Sequence, residues 1–325
     1  MTNGSPGGLV WLRPGAARPH NLRSTRPDGV GQVTTSLAAE RLPTVLGNLF
    51  SLCGHAHRLC AALAIGAALG GHGQVDTVSL EHETLREHLR RIWLDWPRWL
   101  GGVDADLALL ARLPGHGDPG AWLADAVFGV PAADWLRGWS AEPADWLADW
   151  ARRAGTLPAR LLRGVRRVAE DRIEAAAPLC VPDALTVLPS GPRETGPWTR
   201  LHGVDPLPPN AWLRLGSRLA EVARLSLREQ VLERGALRRP DGTAFAWVEM
   251  ARGLLIHELR LGADDRVAHC RVHAPTDWNF HPHGAVARAL ETIAPDDAGR
   301  VGALMAAYDP CVPYRIEQPQ EAAHA

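Results

Sequence analysis

The sequence predicts a mainly helical α+β protein, and two observations carry that prediction. Apolar residues recur at helical spacing through three long stretches, about 36–69, 80–100 and 104–174. The period-two alternation of strands is confined to a short region near 243–273, which predicts one small antiparallel β element. A chain of 325 residues, 46% hydrophobic and 22% charged, has the composition of an ordinary globular protein and enough apolar surface for one large helical domain or two closely packed lobes.

Taken in order, residues 1–35 are rich in Gly, Pro and Arg and predict an irregular segment with one short strand at Leu9–Leu12. Residues 36–177 predict a helical, Trp-rich bundle region. Within it the Ala/Leu pattern from Ser36 to Leu69 breaks at Gly47 and Gly54, so Cys53 is expected near a helix start. Eight of the thirteen tryptophans lie here, namely Trp93, Trp96, Trp99, Trp122, Trp135, Trp139, Trp146 and Trp150. Several are three or four residues apart, which predicts core packing over a binding face. Residues 178–210 read as a Pro/Gly-rich connector, and 211–325 complete the core. That last part predicts a helix at about 211–234, strands at Thr243–Glu249, Leu254–Leu261 and Val267–Val272 with a turn at Gly262–Asp265, and helices at about Gly284–Ile293 and Asp297–Ala307.

Composition excludes several functions. A formal net charge of −1 gives no electrostatic reason to expect nucleic acid or a membrane surface. All 35 basic residues are arginine, so a P-loop lysine and a Schiff-base lysine are both ruled out; genomic coding bias explains the absence. Met1–Gly15 lacks the pattern of a secretory signal, and the most apolar run, Leu59–Gly71, is short of the ~20 residues a membrane span needs. A cytoplasmic location is expected. The five cysteines, Cys53, Cys60, Cys180, Cys270 and Cys311, are odd in number and scattered, which argues for free thiols or metal ligands over a disulfide framework.

Four segments carry chemistry. The first is Cys53-Gly54-His55-Ala56-His57-Arg58-Leu59-Cys60, where a cysteine at a helix start suits a lowered-pKa thiolate and two histidines stand ready to complete a metal site. The second is Val248-Glu249-Met250-Ala251-Arg252-Gly253, followed by a strand. The third is Ala274-Pro275-Thr276-Asp277-Trp278-Asn279-Phe280-His281-Pro282, and the fourth Tyr308-Asp309-Pro310-Cys311-Val312-Pro313-Tyr314. In this order they resemble the nickel–iron hydrogenase large subunit. That family has an early Cys-Gly-x-Cys-x-x-x-His, an inner Glu-Ala-Pro-Arg-Gly, an inner Pro-Thr/Ser-Thr-Trp-Asn-x-x-Pro and a terminal Asp-Pro-Cys-x-x-Cys-x-x-His. The resemblance covers roughly Phe50–Leu69 and Trp247–Pro313 and is architectural elsewhere.

It implies a large-subunit-like helical core and a pocket for an iron carrying cyanide and carbonyl. Arg252 and Thr276 fall where the family donates hydrogen bonds to the cyanides, a contact worth roughly 1.5–3 kcal/mol when one partner is charged. A salt bridge of Arg252, for instance to Glu249, is the structural alternative. Cys53 and Cys311 fall on the family's terminal nickel cysteines. The positions of the two bridging cysteines hold Ala56 and Tyr314, so no stable nickel–iron pair and no hydrogenase turnover are expected, and no catalytic residue is assigned. The early motif's histidine aligns with Cys60, or with His57 if the loop is shorter; His55, His57 and Cys60 are therefore possible further ligands. Ser51 replaces an arginine, and the terminal histidine that marks protease cleavage has no counterpart, so processing is not expected.

This combination is similar to the HupK/HoxV group of hydrogenase maturation proteins. The similarity implies a non-catalytic scaffold that transiently carries the Fe(CN)2(CO) fragment, without nickel, between HypC/HypD-type chaperones and the hydrogenase large subunit. A metal-free adaptor using the Trp-rich helices is the alternative, and a catalytic large subunit the last. Cys60, Cys180 and Cys270 are otherwise expected as core thiols.

Overall fold

The computed structural model describes residues 8–26, 29–71, 78–101, 119–179, 181, 188–189, 191–202 and 210–317. Its α-helices are α1 (Val30–Thr34), α2 (Leu42–Leu49), α3 (Gly54–Ala68), α4 (Val78–Leu100), α5 (Gly120–Leu123), α6 (Ala132–Ala141), α7 (Pro143–Arg153), α8 (Leu157–Ala169), α9 (Pro197–His202), α10 (Ala211–Ser226), α11 (Pro275–Asn279), α12 (Ala285–Thr292) and α13 (Ala298–Tyr308). The strands are β1 (Val10–Leu12), β2 (Leu22–Ser24), β3 (Ala177–Pro178), β4 (Arg193–Glu194), β5 (Arg234–Arg238), β6 (Ala244–Met250), β7 (Gly253–Leu261), β8 (Val267–His273) and β9 (Tyr314–Ile316).

Helix α10 is the hub. Asn210 caps it by accepting from the Leu213 amide at 2.9 Å, and nearly every residue it contains is buried. It packs against α4, α6, α7 and α13, while α4, α8 and α13 also contact one another. A helix buried all round is normally apolar, yet α10 carries Arg214, Arg218 and Glu221 on one stripe; each finds a buried ionic partner, as burial of charge requires. The tryptophans on α4, α6 and α7 fill the core as predicted: Trp96 and Trp135 are fully buried, Trp135 stacks with Trp139, and the Trp150 indole N–H donates to the Phe128 carbonyl at 2.6 Å.

The predicted β element is present and larger than expected. It is a four-stranded antiparallel sheet in the order β5-β6-β7-β8, with α3 lying across β5, β6 and β7. The predicted turn joins β7 to β8, where the Gly262 amide donates to the Arg266 carbonyl. The helix expected to run to Arg234 instead stops at Ser226, beyond which Arg228 takes a left-handed φ of 57°. The chain then returns as β5. There Gly235 leaves room for the Trp247 ring across the ladder; a Cβ on it would lie 2.4 Å from that ring. Two smaller sheets complete the fold. The order β2-β1-β9 places β9 parallel to β1, with Val10 opposite Tyr314 and Leu12 opposite Ile316, and β3 pairs with β4. The architecture is therefore a helical core with mixed sheets and not a pure bundle. Among the described residues no single helix is long and apolar enough to cross a membrane. Cys180 lies outside the described residues.

Candidate functional site

Four element ends converge on one place. Cys53 closes a short 3-10 turn (Ser51–Cys53) and is the N-cap residue of α3, with φ −136° and ψ 40°; its side chain makes no capping hydrogen bond, and it is buried. Arg252 sits in the two-residue connection between β6 and β7, where Met250 pairs with Gly253. Gly253 has a φ of +131°, and a Cβ there would stand 2.5 Å from the Thr195 side chain, so the turn tolerates only glycine. Thr195 ties this turn to α11. Its hydroxyl accepts from the Leu254 amide at 2.8 Å, its amide donates to Asn279 Oδ1 at 3.0 Å, and its carbonyl accepts from Asn279 Nδ2 at 2.9 Å. Asn279, singled out only as part of a motif, is thus the clasp that sets Arg252 relative to Thr276.

Thr276 stands in the first turn of α11. Its hydroxyl donates to Cys311 Sγ at 3.2 Å and accepts from the Cys311 amide at 3.3 Å, which fixes the second cysteine. Cys53, Cys311 and Arg252 are close enough for their charges to act on one another. Burial pushes the Cys53 thiol up to about 12, and the nearby guanidinium of Arg252 opposes that only in part. The sequence suggested a lowered thiolate at a helix start. The structure reverses this: the helix N-terminus is already taken, since Glu83 on α4 accepts from the His55 and Ala56 amides at 2.8 and 2.9 Å.

Arg252 is almost fully buried, and none of its three guanidinium nitrogens has an aligned hydrogen-bond acceptor. Its ionic neighbours are Asp309 at 3.6 Å and Glu87 at 3.8 Å, not Glu249, which turns toward Arg200 at 3.8 Å. Those two carboxylates hold Arg252 protonated despite its burial. Asp309 is shared three ways, with Arg91 at 2.9 Å and Arg218 at 3.0 Å as well. Burial raises Asp309, but Arg252, Arg91 and Arg218 outweigh that and leave it below the usual carboxylate range. Arg218 continues to His88 at 2.9 Å, His88 to Glu221 at 2.6 Å, and Glu221 to Arg200 through two bonds. None of these α4 and α10 partners was assigned from sequence. One signal existed: Glu83, Glu87, Arg91 and Asp95 recur every four residues on a helix otherwise marked as core.

The other candidates go elsewhere. His57 turns to the sheet, stacks on Phe50 at 4.0 Å and shares a proton with His257 Nε2 at 3.1 Å. Burial lowers both rings, His57 well below its ordinary value and His257 to about 3. Cys60 donates to the Ala246 carbonyl at 3.4 Å, and burial raises its thiol; Cys270 is likewise buried and raised to about 11. His55 is half-buried, and its Nε2 has no partner. Ala56 is fully buried, and Tyr314 packs against Trp99 within β9. Among the described residues no three His, Cys, Asp or Glu side chains form a group able to hold a metal. The site offers two sulfurs, one hydroxyl and one ion-paired guanidinium whose N–H groups have no aligned acceptor.

No family model matches the sequence. Among known proteins the chain is 38% identical to the hydrogenase expression/formation protein HoxV of Cupriavidus necator, with 95% of each chain covered. It is 32% identical to the hydrogenase expression/formation protein HupK of Bradyrhizobium diazoefficiens, with 89% of each covered. In fold it is similar to an NAD+-reducing nickel–iron hydrogenase in the H2-reduced state, with a TM-score of 0.54 at 17% identity over 89% of this chain and 91% of that one. The reduced nickel–iron–selenium hydrogenase of Desulfovibrio vulgaris Hildenborough gives a TM-score of 0.51 at 13% identity over 89% and 92%.

Proposed function

The chain belongs to the HoxV/HupK family of hydrogenase expression/formation proteins, and from that premise we propose that it is a scaffold that carries the Fe(CN)2(CO) unit as cargo before transfer to a hydrogenase large subunit. The observation that supports this most directly is Arg252. A fully buried guanidinium with no aligned acceptor on any nitrogen is costly, and it stands beside two cysteines where anionic cyanides would accept its N–H groups. A small cavity lined by Glu194, Thr195, Trp198, Ser217, Arg218 and Tyr308 touches Arg252 and neither cysteine, and has room for about one water. One water accepts at most two of the five N–H bonds, which leaves donors for the cargo.

The donor set fits such cargo. Soft thiolates suit a low-spin iron, and the unit supplies three carbon ligands itself, so two protein bonds hold it without trapping it. Binding exchanges the thiol protons for the iron, because a coordinating thiol is deprotonated outright. Thr276 has one hydroxyl proton, now on Cys311 Sγ, and turns it to a cyanide as that sulfur takes the metal. Ala56 and Tyr314 offer no bridging thiolate, so the scaffold is assigned no hydrogen turnover and no nickel. The HypC/HypD-type chaperones and the large subunit remain the proposed partners. The metal-free adaptor has less support, since Trp93, Trp96, Trp135, Trp139 and Trp150 lie within the core.

Infrared spectroscopy on protein purified from cells with an intact maturation pathway tests the reading. Cyanide and carbonyl bands are expected in the wild type and lost in Cys53→Ala and Cys311→Ala, while Thr276→Val and Arg252→Lys shift the cyanide bands. A wild-type protein without these bands would sink the proposal.

A further inference from the structure

Cys53 holds two possible employments at once. As the N-cap residue of α3 it is placed to offer its side chain to the amides of the second and third helical residues, which are His55 and Ala56. As a ligand it must present the same sulfur to a metal shared with Cys311. Its side chain makes no capping bond, because the His55 and Ala56 amides are both taken by the carboxylate of Glu83, from 28 and 27 residues away on α4. Glu83 accepts the two through different oxygens and places its negative charge at the positive end of the helix.

We propose that Glu83 is a positioning residue that caps α3 from outside and so frees the Cys53 sulfur for metal binding. Removal of the carboxylate leaves two amide donors without an acceptor at the helix start. As the N-cap side chain, the Cys53 sulfur is the group placed to fill them, and doing so takes it from the metal shared with Cys311. The arrangement also explains how a chain with Ala56 in the first turn keeps that turn in place: the carboxylate holds the backbone where no second side-chain ligand can.

This inference rests on the preceding reading only in taking Cys53 and Cys311 as ligands, and Cd2+ tests it without the iron unit. Cadmium binding to the purified full chain is followed by thiolate-to-metal charge-transfer absorbance. Glu83→Ala is expected to weaken Cd2+ by about tenfold, and Glu83→Gln, which keeps one acceptor oxygen, by about threefold, in keeping with the loss of a helix cap. Added formate, filling the half-buried place of the missing carboxylate, restores part of the affinity of Glu83→Ala and leaves the wild type unchanged. Glu81→Gln, two residues earlier and paired with Arg234, serves as the control and binds as the wild type does. Wild-type affinity in Glu83→Ala, or no effect of formate on a weakened variant, overturns the proposal. If Glu83→Ala does not fold, Glu83→Gln decides: unaltered affinity overturns it. Absent infrared bands with the cadmium series intact would remove the cargo and leave Glu83 in its role.

Discussion

The two cysteines reach the same place by different means. Cys53 is set by secondary structure: a 3-10 turn runs into α3, and one carboxylate from a neighbouring helix holds the joint. Cys311 follows α13 after a residue, Asp309, whose backbone is left-handed (φ 49°) and whose side chain three arginines share. The carbonyl between them, at Pro310, accepts from Arg91 at 3.3 Å. One end is thus positioned locally and the other by buried charge gathered from α4, α10 and the β6–β7 turn. Such a charge cluster adds little net stability when complete, but removing one member is expensive. The Cys311 end should therefore fail abruptly and the Cys53 end gradually.

The largest expected effect follows. Asp309→Ala strands Arg91, Arg218 and Arg252 without their common anion and should cost about 3–5 kcal/mol in chemical denaturation. A loss below 1 kcal/mol would mean that the arginines hold Cys311 less firmly than the geometry implies. Next, Gly253→Ala forces a side chain into a φ of +131° against Thr195 and should cost about 1–3 kcal/mol. The same variant should move the cyanide bands, because Arg252 precedes it.

Acid acts more evenly and on the Cys53 side. His57 and His257 bind protons below the ordinary histidine value of 6.5 when folded and near that value when unfolded, so the unfolded chain takes up protons first. Their contribution is complete above 6.5 and is lost as the pH falls below it, for His257 toward 3, at about 1.4 kcal/mol per pH unit for each ring. His57→Leu should lower the slope of stability against pH by about 1.4 kcal/mol per pH unit in denaturation series between pH 6.5 and 4.5. The smallest effect is expected at the rim. Glu317→Gln releases Arg13 and Arg23, the latter well exposed, and should cost less than about 1 kcal/mol.

Local signals in the sequence located most of this. Helical spacing placed α3, α4, α12 and α13, alternation placed β6, β7 and β8, and glycine at Gly54 marked the start of α3. What the sequence did not disclose is long-range. The helical pattern runs on to about Arg234, and only the partner strand, with Trp247 over Gly235, makes Arg234–Arg238 into β5. Tyr314–Ile316 carries no strand pattern of its own and is extended because β1 pairs with it. At the site, the identities of Cys53, Arg252, Thr276 and Cys311 were legible as motif residues. Glu83, the clasp made by Asn279, and Arg91 and Arg218 on Asp309 were not, because their meaning lies in partners tens to hundreds of residues away.

The β1–β9 pairing sets an order in time. Arg13 and Glu317, at the end of that ladder, are 304 residues apart in sequence, and pairing of such separation waits for the rest of the chain. During synthesis α3 and the first cysteine can form early. The second cysteine leaves the ribosome long after the first, and strand β9, next to it, closes onto β1 only then. A pocket built from both cysteines therefore cannot exist before Cys311 and β9 have emerged, and any cargo that needs both sulfurs is received only after that.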